Sequence, residues 1–376
     1  MKLFIRCQQE PARQFFCAVR DYMLSVDPAF RFTANTYNLQ PHLLYLVDEL
    51  NSDFHGAETE LYLYNLKLLG HVLQRLKLAD ALGIRVVTSG AHWEFEHVRK
   101  NNLMNVFKPV IAAHYASGHQ LAAPDLYRWI EPDFYGSIPD LAPYYRFVRS
   151  NAFLFDDYKP VEQVGLLMAL GAAEQYTGDS QFQRDYARFG QELLDHHVPF
   201  GIAVAADGFF YKKEFTKDEL ASRFQLLIVP RNTALSGAQL AALSNLKAQG
   251  KVHVCDDQGL APALSRVKPW IACDQPDIFV LPRQKSSNPA DPLIVHLINR
   301  DYRQEMDRVE EKHNITLTLH RELMAQRVAG VHCYSPDAEA ALLAWEEGAE
   351  GIVINVPLLK YWNILKVSLA KQESKP

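Results

Sequence analysis

Apolar positions along the chain fall into two alternating periods. Near the N-terminus, QEPARQFFCAVRDYMLS sets Phe15, Phe16, Val19 and Met23 at helical spacing, with Pro11 suited to a first turn. Four extended stretches follow, RFTANTY at 31–37, HLLYLVDEL at 42–50, IRVVTSG at 84–90 and HQLAAPDL at 119–126. Between the second and third, Leu66, Leu69, Leu73, Leu76 and Leu82 make one apolar face, and Gly83 stops that helix. FKPVIAAHYASG predicts a further helix ending on Gly118. Strands alternating with helices imply a parallel sheet, whose active groups collect at the carboxyl ends of its strands.

A second run of strand signals comprises VGLLMAL (164–170), FGIAVAA (200–206), FQLLIVPR (224–231) and KVHVCDD (251–257). The helix between the last two has Ser236 as its N-cap and Gly250 as its stop. This block reads as a flavodoxin-like, doubly wound domain. From about 285 the texture changes: SSNPADP reads as a linker, and LIVHLIN, ITLTLH, VAGVHCYS, GIVINVP and YWNILKV follow without helices of crossover length. They predict an antiparallel β-sandwich. The expected domains are therefore 1–155, 156–285 and 286–376.

Composition then removes several classes. Lys+Arg 39 against Asp+Glu 44 gives a net charge of −5 with no basic stripe, so no nucleic-acid partner is expected. The longest apolar run, Val164 to Ala173, is about half of a membrane span, so no membrane partner is expected either. MKLFIRCQQE has no apolar core of the signal-peptide kind. Five scattered cysteines form no CxxC pair, which points to a reducing, cytoplasmic setting without a disulfide framework. Cys255, in VHVCDDQG, lacks the glycine-flanked elbow of an amidotransferase nucleophile and reads as a buried strand-end thiol. His196-His197 has no third ligand at helical spacing, and no HExxH, GxGxxG or P-loop pattern occurs, so neither metal nor cofactor is expected.

The order of parts resembles family 42 β-galactosidases and related clan A glycoside hydrolases: a βα-barrel, a flavodoxin-like domain and a small β domain. FTANTYNL resembles their fifth barrel strand, LYLVDELNSDF the sixth, IRVVTSGAHW the seventh and AAHYASGHQLAAPDLYRW the eighth. A full barrel takes roughly 250 residues, whereas only about 150 precede the second block here. The resemblance thus implies the C-terminal half of a TIM barrel, without the Asn-Glu acid/base that follows strand four. It also places the expected nucleophile at Thr88-Ser89-Gly90, where no glutamate stands.

Glycosidases work with two carboxyl groups. Candidates near strand ends are Asp48, Glu49, Asp53, Glu58, Glu60 and Glu94. Glu58, in the polar stretch NSDFHGAETELY, reads either as a sugar-pocket carboxylate or, with Glu60, as an acid in the first turn of the next helix. Glu58 or Glu94 is the expected nucleophile or charge stabiliser, with the acid/base supplied by residues absent here or by a second copy. Asn35 and Tyr37 share one face of their strand and are read as lining the mouth; Asp53 joins them through the resemblance. In His92-Trp93-Glu94 the indole would stack on a pyranose face and the glutamate hold hydroxyls, or the Trp would simply cap the barrel. Trp129 is either a subsite floor or a domain-interface anchor. The resemblance implies hydrolysis of a β-galactoside or related oligosaccharide. The alternative is a truncated, non-catalytic relative serving as a carbohydrate-binding or interaction scaffold. An open half barrel exposes an unpaired edge, which predicts a homo-oligomer through that edge or a piece of a protein beginning upstream of Met1.

Overall fold

The structure is a computed structural model and describes residues 2–30, 35–37, 54–122, 138–173, 181–208, 211–231, 233–255, 259–285, 291–324 and 326–370. Among these, residues 2–6, 8, 9, 35–37, 54, 55, 57, 58, 92, 138, 139, 172 and 173 are described by backbone position alone. Helix α1 spans Lys2–Val26 with Pro11 in its interior rather than in a first turn. Nothing in KLFIRCQQE breaks a helix, so the helix starts earlier, and the proline removes one backbone donor.

The first sheet holds β1 (Asn35–Tyr37), β2 (Phe54–Thr59), β3 (Arg85–Gly90) and β4 (Gln120–Leu121), in that spatial order and parallel throughout. The expected strand at 42–50 lies outside the described residues. The strand that pairs with both β1 and β3 is instead FHGAET, which the sequence presents as a polar loop. Its Gly56 and Ala57 carry little hydrophobic signal; ladders on both sides supply what propensity does not. Helix α2 (Leu69–Leu82) joins β2 to β3 and ends on Gly83 at φ 72°, whose N–H bonds Ala79 and Asp80. Helices α3 (His92–Asn101) and α4 (Phe107–Ala116) join β3 to β4.

One face of this sheet lies under the helices. Val86, Thr88 and Gly90 are buried, while Val87 and Ser89 between them are half-buried. Two buried histidines fix the covered face. The Val86 N–H donates to His119 Nδ1 at 3.2 Å, and Thr88 Oγ1 lies 2.6 Å from His114 Nε2.

After helix α5 (Ile138–Ser150) and the short strand β5 (Lys159–Pro160) comes a second parallel sheet. Its strands β6 (Val164–Ala169), β7 (Phe200–Ala205), β8 (Leu226–Val229) and β9 (Val252–Val254) lie in the order β7-β6-β8-β9. Near-continuous apolar runs suit strands covered on both faces. Helix α6 (Gln181–Asp195) packs on it. Helix α7 (Gly237–Ala248) opens with the expected Ser236 cap, reinforced by Gln239 in a capping box.

The remaining strands are all antiparallel and form two sheets and a small ribbon of β13 (Tyr302–Arg303) with β14 (Arg308–Val309). One sheet has the order β10 (Ile271–Cys273), β15 (Lys312–His320), β19 (Gly351–Leu359), β18 (Trp345–Glu347). The other runs β17 (Ala338–Leu342), β16 (Val328–Ser335), β20 (Trp362–Leu369), β12 (Leu293–Asn299), β11 (Ile278–Gln284), β5. Val295, Leu297 and Val367 meet Ile315, Leu317 and Ile354 in one shared core. All seven residues of β12 are buried, because Ile294 and Ile298 face the other way into a second core with Trp362 and the first sheet's helices. The antiparallel part therefore takes in residues 271–284, ahead of the boundary expected at 286, and β5 as well. The three-residue β10 is too short to give a signal of its own, whereas the seven-residue β11, IFVLPRQ, carries an apolar run that the expected boundary leaves in the second block.

Candidate functional site

Register brings three residues into one row at the carboxyl ends of the first sheet: Tyr37 pairs with Glu58, and Glu58 with Ser89. One repeat earlier, Asn35, Gly56 and Val87 form the preceding row of the same face. Within these rows, Val87 and Ser89 belong to the face of β3 opposite the helices. Glu58 thus sits inside a strand, one residue before its end, not in a loop beyond it. The next helical residue is Leu66, so neither Glu58 nor Glu60 belongs to a helix first turn.

Beyond β2 the chain alternates inward and outward. Leu61 and Leu63 are fully buried, while Tyr62 and Tyr64 are half-buried. Glu94 enforces this pattern. It is buried, and its carboxylate accepts from the Leu61 N–H at 2.8 Å and the Leu63 N–H at 3.0 Å. It also receives the Ala91 N–H at 3.4 Å, closing the N-terminus of α3. Burial raises its pKa, opposed by the three backbone N–H groups. The expectation that Glu94 reaches substrate or holds sugar hydroxyls does not match this geometry. Its oxygens face the backbone because they weld the loop after β2 to the helix after β3.

That weld sets two aromatic side chains together. Trp93 is 46% exposed in the first turn of α3, and its ring lies 5.4 Å from that of Tyr64 at 40°. The Tyr64 hydroxyl donates to Glu60 Oε1 at 2.9 Å. Burial, with Glu60 beside it, pushes that phenol's pKa up. Arg75 ties the same loop from α2: Nη1 donates to Thr59 Oγ1 and to the Glu60 carbonyl, each at 3.0 Å, and Nη2 to the Tyr62 hydroxyl at 3.1 Å. His71 packs on Tyr62, with ring centroids 5.4 Å apart. Burial, then Arg75, push the imidazole's pKa down. A tilted ring pair with one exposed member beside fixed hydrogen-bonding groups suits a neutral ligand with apolar faces and many hydroxyls.

Of the residues expected to form the site, Tyr37 and Glu58 share a row, Asn35 stands one row back, and His92 and Trp93 open α3 beside them. Asp53 and Trp129 lie outside the described residues, as do Asp48 and Glu49. Tyr62, Tyr64 and Arg75 were not singled out from the sequence. The alternation Leu61-Tyr62-Leu63-Tyr64 was the available signal, absorbed there into the approach to α2. Cys255 is buried at the end of β9, as expected. Among the described residues no group of three His, Cys, Asp or Glu side chains could hold a metal, and no helix is long and apolar enough to cross a membrane.

At the opposite end of the first sheet lies a different kind of polar cluster. Arg283 from β11 donates to the Tyr158 carbonyl at 2.7 Å and the Ala116 carbonyl at 3.3 Å, with Asp80 3.8 Å away. Lys77 donates to the Phe200 carbonyl at 2.7 Å, and burial lowers its pKa to about 8. Gly118, at φ +77°, leaves room for Arg283, whose Nη2 would lie 2.5 Å from any Cβ there. These contacts seal the first unit to the other two.

No family model matches the chain. It is 24% identical over 381 residues to an alpha-agarase of Thalassotalea agarivorans, covering 97% of this chain and 25% of that protein. It is 22% identical over 382 residues to an alpha-agarase of Alteromonas agarilytica, covering 98% and 26%. The chain thus spans about a quarter of the length of the curated relatives it matches. Alpha-L-fucosidase isoenzyme 2 from Paenibacillus thiaminolyticus superposes with a TM-score of 0.55 at 11% identity, over 80% of this chain and 63% of that one, a likeness of fold alone. The similarity is to glycoside hydrolases and not specifically to family 42 β-galactosidases.

Proposed function

We propose that this chain carries part of the catalytic face of a glycoside hydrolase acting on an agar-type galactan, with Glu58 as the acting carboxylate. The observation that carries the reading is the Tyr37–Glu58–Ser89 row at the carboxyl ends of three parallel strands, with the paired rings of the exposed Trp93 and the half-buried Tyr64 on the segments that leave two of those strands. In parallel βα folds that is where reacting groups gather. Ser89 stands where the resemblance calls for a glutamate, and Glu58 supplies the carboxylate one strand over. It serves as nucleophile or as charge stabiliser for an oxocarbenium-like transition state. The proton donor comes from outside these strands, from a further segment or a second copy. In this reading the first sheet is the C-terminal half of a barrel, the second a flavodoxin-like unit, and the antiparallel part a terminal sandwich.

Asn35, Tyr37, Asp53, His92, Trp93 and Trp129 serve as the substrate-binding set, with Tyr64 joined to Trp93. Glu94 is a positioning residue, not a catalytic one. The alpha-agarase relatives favour an agar-type polymer over a simple β-galactoside. Hydrolysis of agar oligosaccharides, followed by product analysis, tests the assignment. Glu58→Gln is expected to lower kcat at least about a thousand-fold, the scale of losing a nucleophile, while binding persists. Unchanged turnover in that variant removes Glu58 from the mechanism. Binding without turnover in the unmodified chain favours the scaffold reading.

A further inference from the structure

Between helix α6 and the smaller antiparallel sheet runs an open groove of about 550 Å³, within the roughly 300–1,000 Å³ range of ligand sites. Trp270, half-buried and packed on one side against the core of the antiparallel sheets, lines it together with Pro269, the exposed Ala272, His196 and Thr318. The tryptophan's backbone is fixed at both ends. Its N–H donates to Gln163 Oε1 at 3.1 Å, and its carbonyl accepts the His320 N–H at 2.8 Å. Gln163 is fully buried and holds the neighbouring Lys268 carbonyl at 2.7 Å.

Three pairs of formal charges around the groove are matched within the protein, Lys268 with Glu350, Arg300 with Asp195, and His320 with Glu322, while the exposed Asp274 accepts the Thr316 N–H. An anion would have to break such a pair and would meet Asp274 as well. A neutral, hydroxyl-rich ligand with an apolar ring face would not, and could lie on the indole.

We propose that this groove is a second glycan-holding site, for a neutral polysaccharide chain. Its carbohydrate class rests on the glycosidase reading; its location does not. His197 lines both this groove and the polar cluster around Lys77 and Asp80, which sits at the amino end of the first sheet. The groove is therefore remote from the row holding Glu58, and the two sites grip separate stretches of polymer. Joint engagement raises retention on long chains without changing the chemistry on short ones.

Affinity electrophoresis of the full chain through gels of increasing agarose content reads polymer binding, and turnover of a short agar oligosaccharide reads the Glu58 end. Trp270→Ala is expected to weaken polymer retention about tenfold, the scale of one lost stacking face, with short-substrate turnover kept. His196→Ala, an exposed change, is expected to weaken retention several-fold and guards against a folding defect in the first variant. Retention unchanged in both variants overturns the proposal, as does an unmodified chain with no retention, or a parallel fall in short-substrate turnover. Glu58→Gln with full activity instead sinks the active-site reading and leaves the groove standing on its own retention data.

Discussion

Glu94 illustrates how one carboxylate is diverted from chemistry to architecture. Its two oxygens serve three backbone donors, one of them at 3.4 Å; a hydrogen bond to a charged group contributes about 1.5–3 kcal/mol, and the burial cost of the carboxylate offsets part of that sum. Glu94→Ala is therefore expected to destabilise the chain by about 2–4 kcal/mol in urea titration. It should also raise KM more than it lowers kcat, because Tyr64 and Trp93 lose their common anchor. A variant that keeps both stability and KM contradicts the anchor role. From sequence, Glu94 and Glu58 were equivalent as acids near strand ends. Burial separates them, and burial depends on a loop thirty residues away in the chain, which no local pattern records. Trp93 was legible because an aromatic in a polar stretch stands out; Arg75, one basic residue on an amphipathic helix, did not.

At the scale of elements, β3 is held by the two histidines behind it. The folded imidazoles of His114 and His119 are neutral, since burial depresses their pKa values from 6.5 to about 4 and about 3. His114 Nδ1 donates to the Val110 carbonyl at 2.7 Å, and His119 Nε2 to the Leu76 carbonyl at 3.0 Å. Asp80 lies 3.6 Å from His119 Nε2, yet Nδ1 accepts the Val86 N–H, so the ring stays neutral. The unfolded chain takes up both protons first on acidification. Stability from this source is thus complete above about pH 6.5 and is lost as pH falls through 6.5 towards 4 and 3. Urea midpoints across that range should fall with pH, with a shallower slope in His119→Gln; a flat profile for the unmodified chain counts against it. The helices, their glycine stops and the long sandwich strands were readable because period and caps are local. Strand β2 was not, because FHGAET acquires its conformation from β1 and β3 rather than from its own side chains.

Across the whole molecule, Arg283 joins the antiparallel part to the first sheet. Removing one partner of a buried ion pair leaves the other uncompensated, so Arg283→Met is expected to cost about 3–5 kcal/mol. Adding Asp80→Asn should recover part of that loss, and a strictly additive double variant would show that the two do not interact. The strand pairing also carries a topological consequence. Lys159 and Pro160 pair with Gln284 and Arg283, so the chain leaves the large sheet at β5 and re-enters it beside the point of departure. Everything from residue 161 to residue 270, the whole βα unit with α6, is a cassette spliced between these neighbours, with its ends close together in space. Such modules are exchangeable in principle. Truncating the polypeptide at residue 286 would therefore strip the host sheet of β5 and β11, both of which precede that point in the chain.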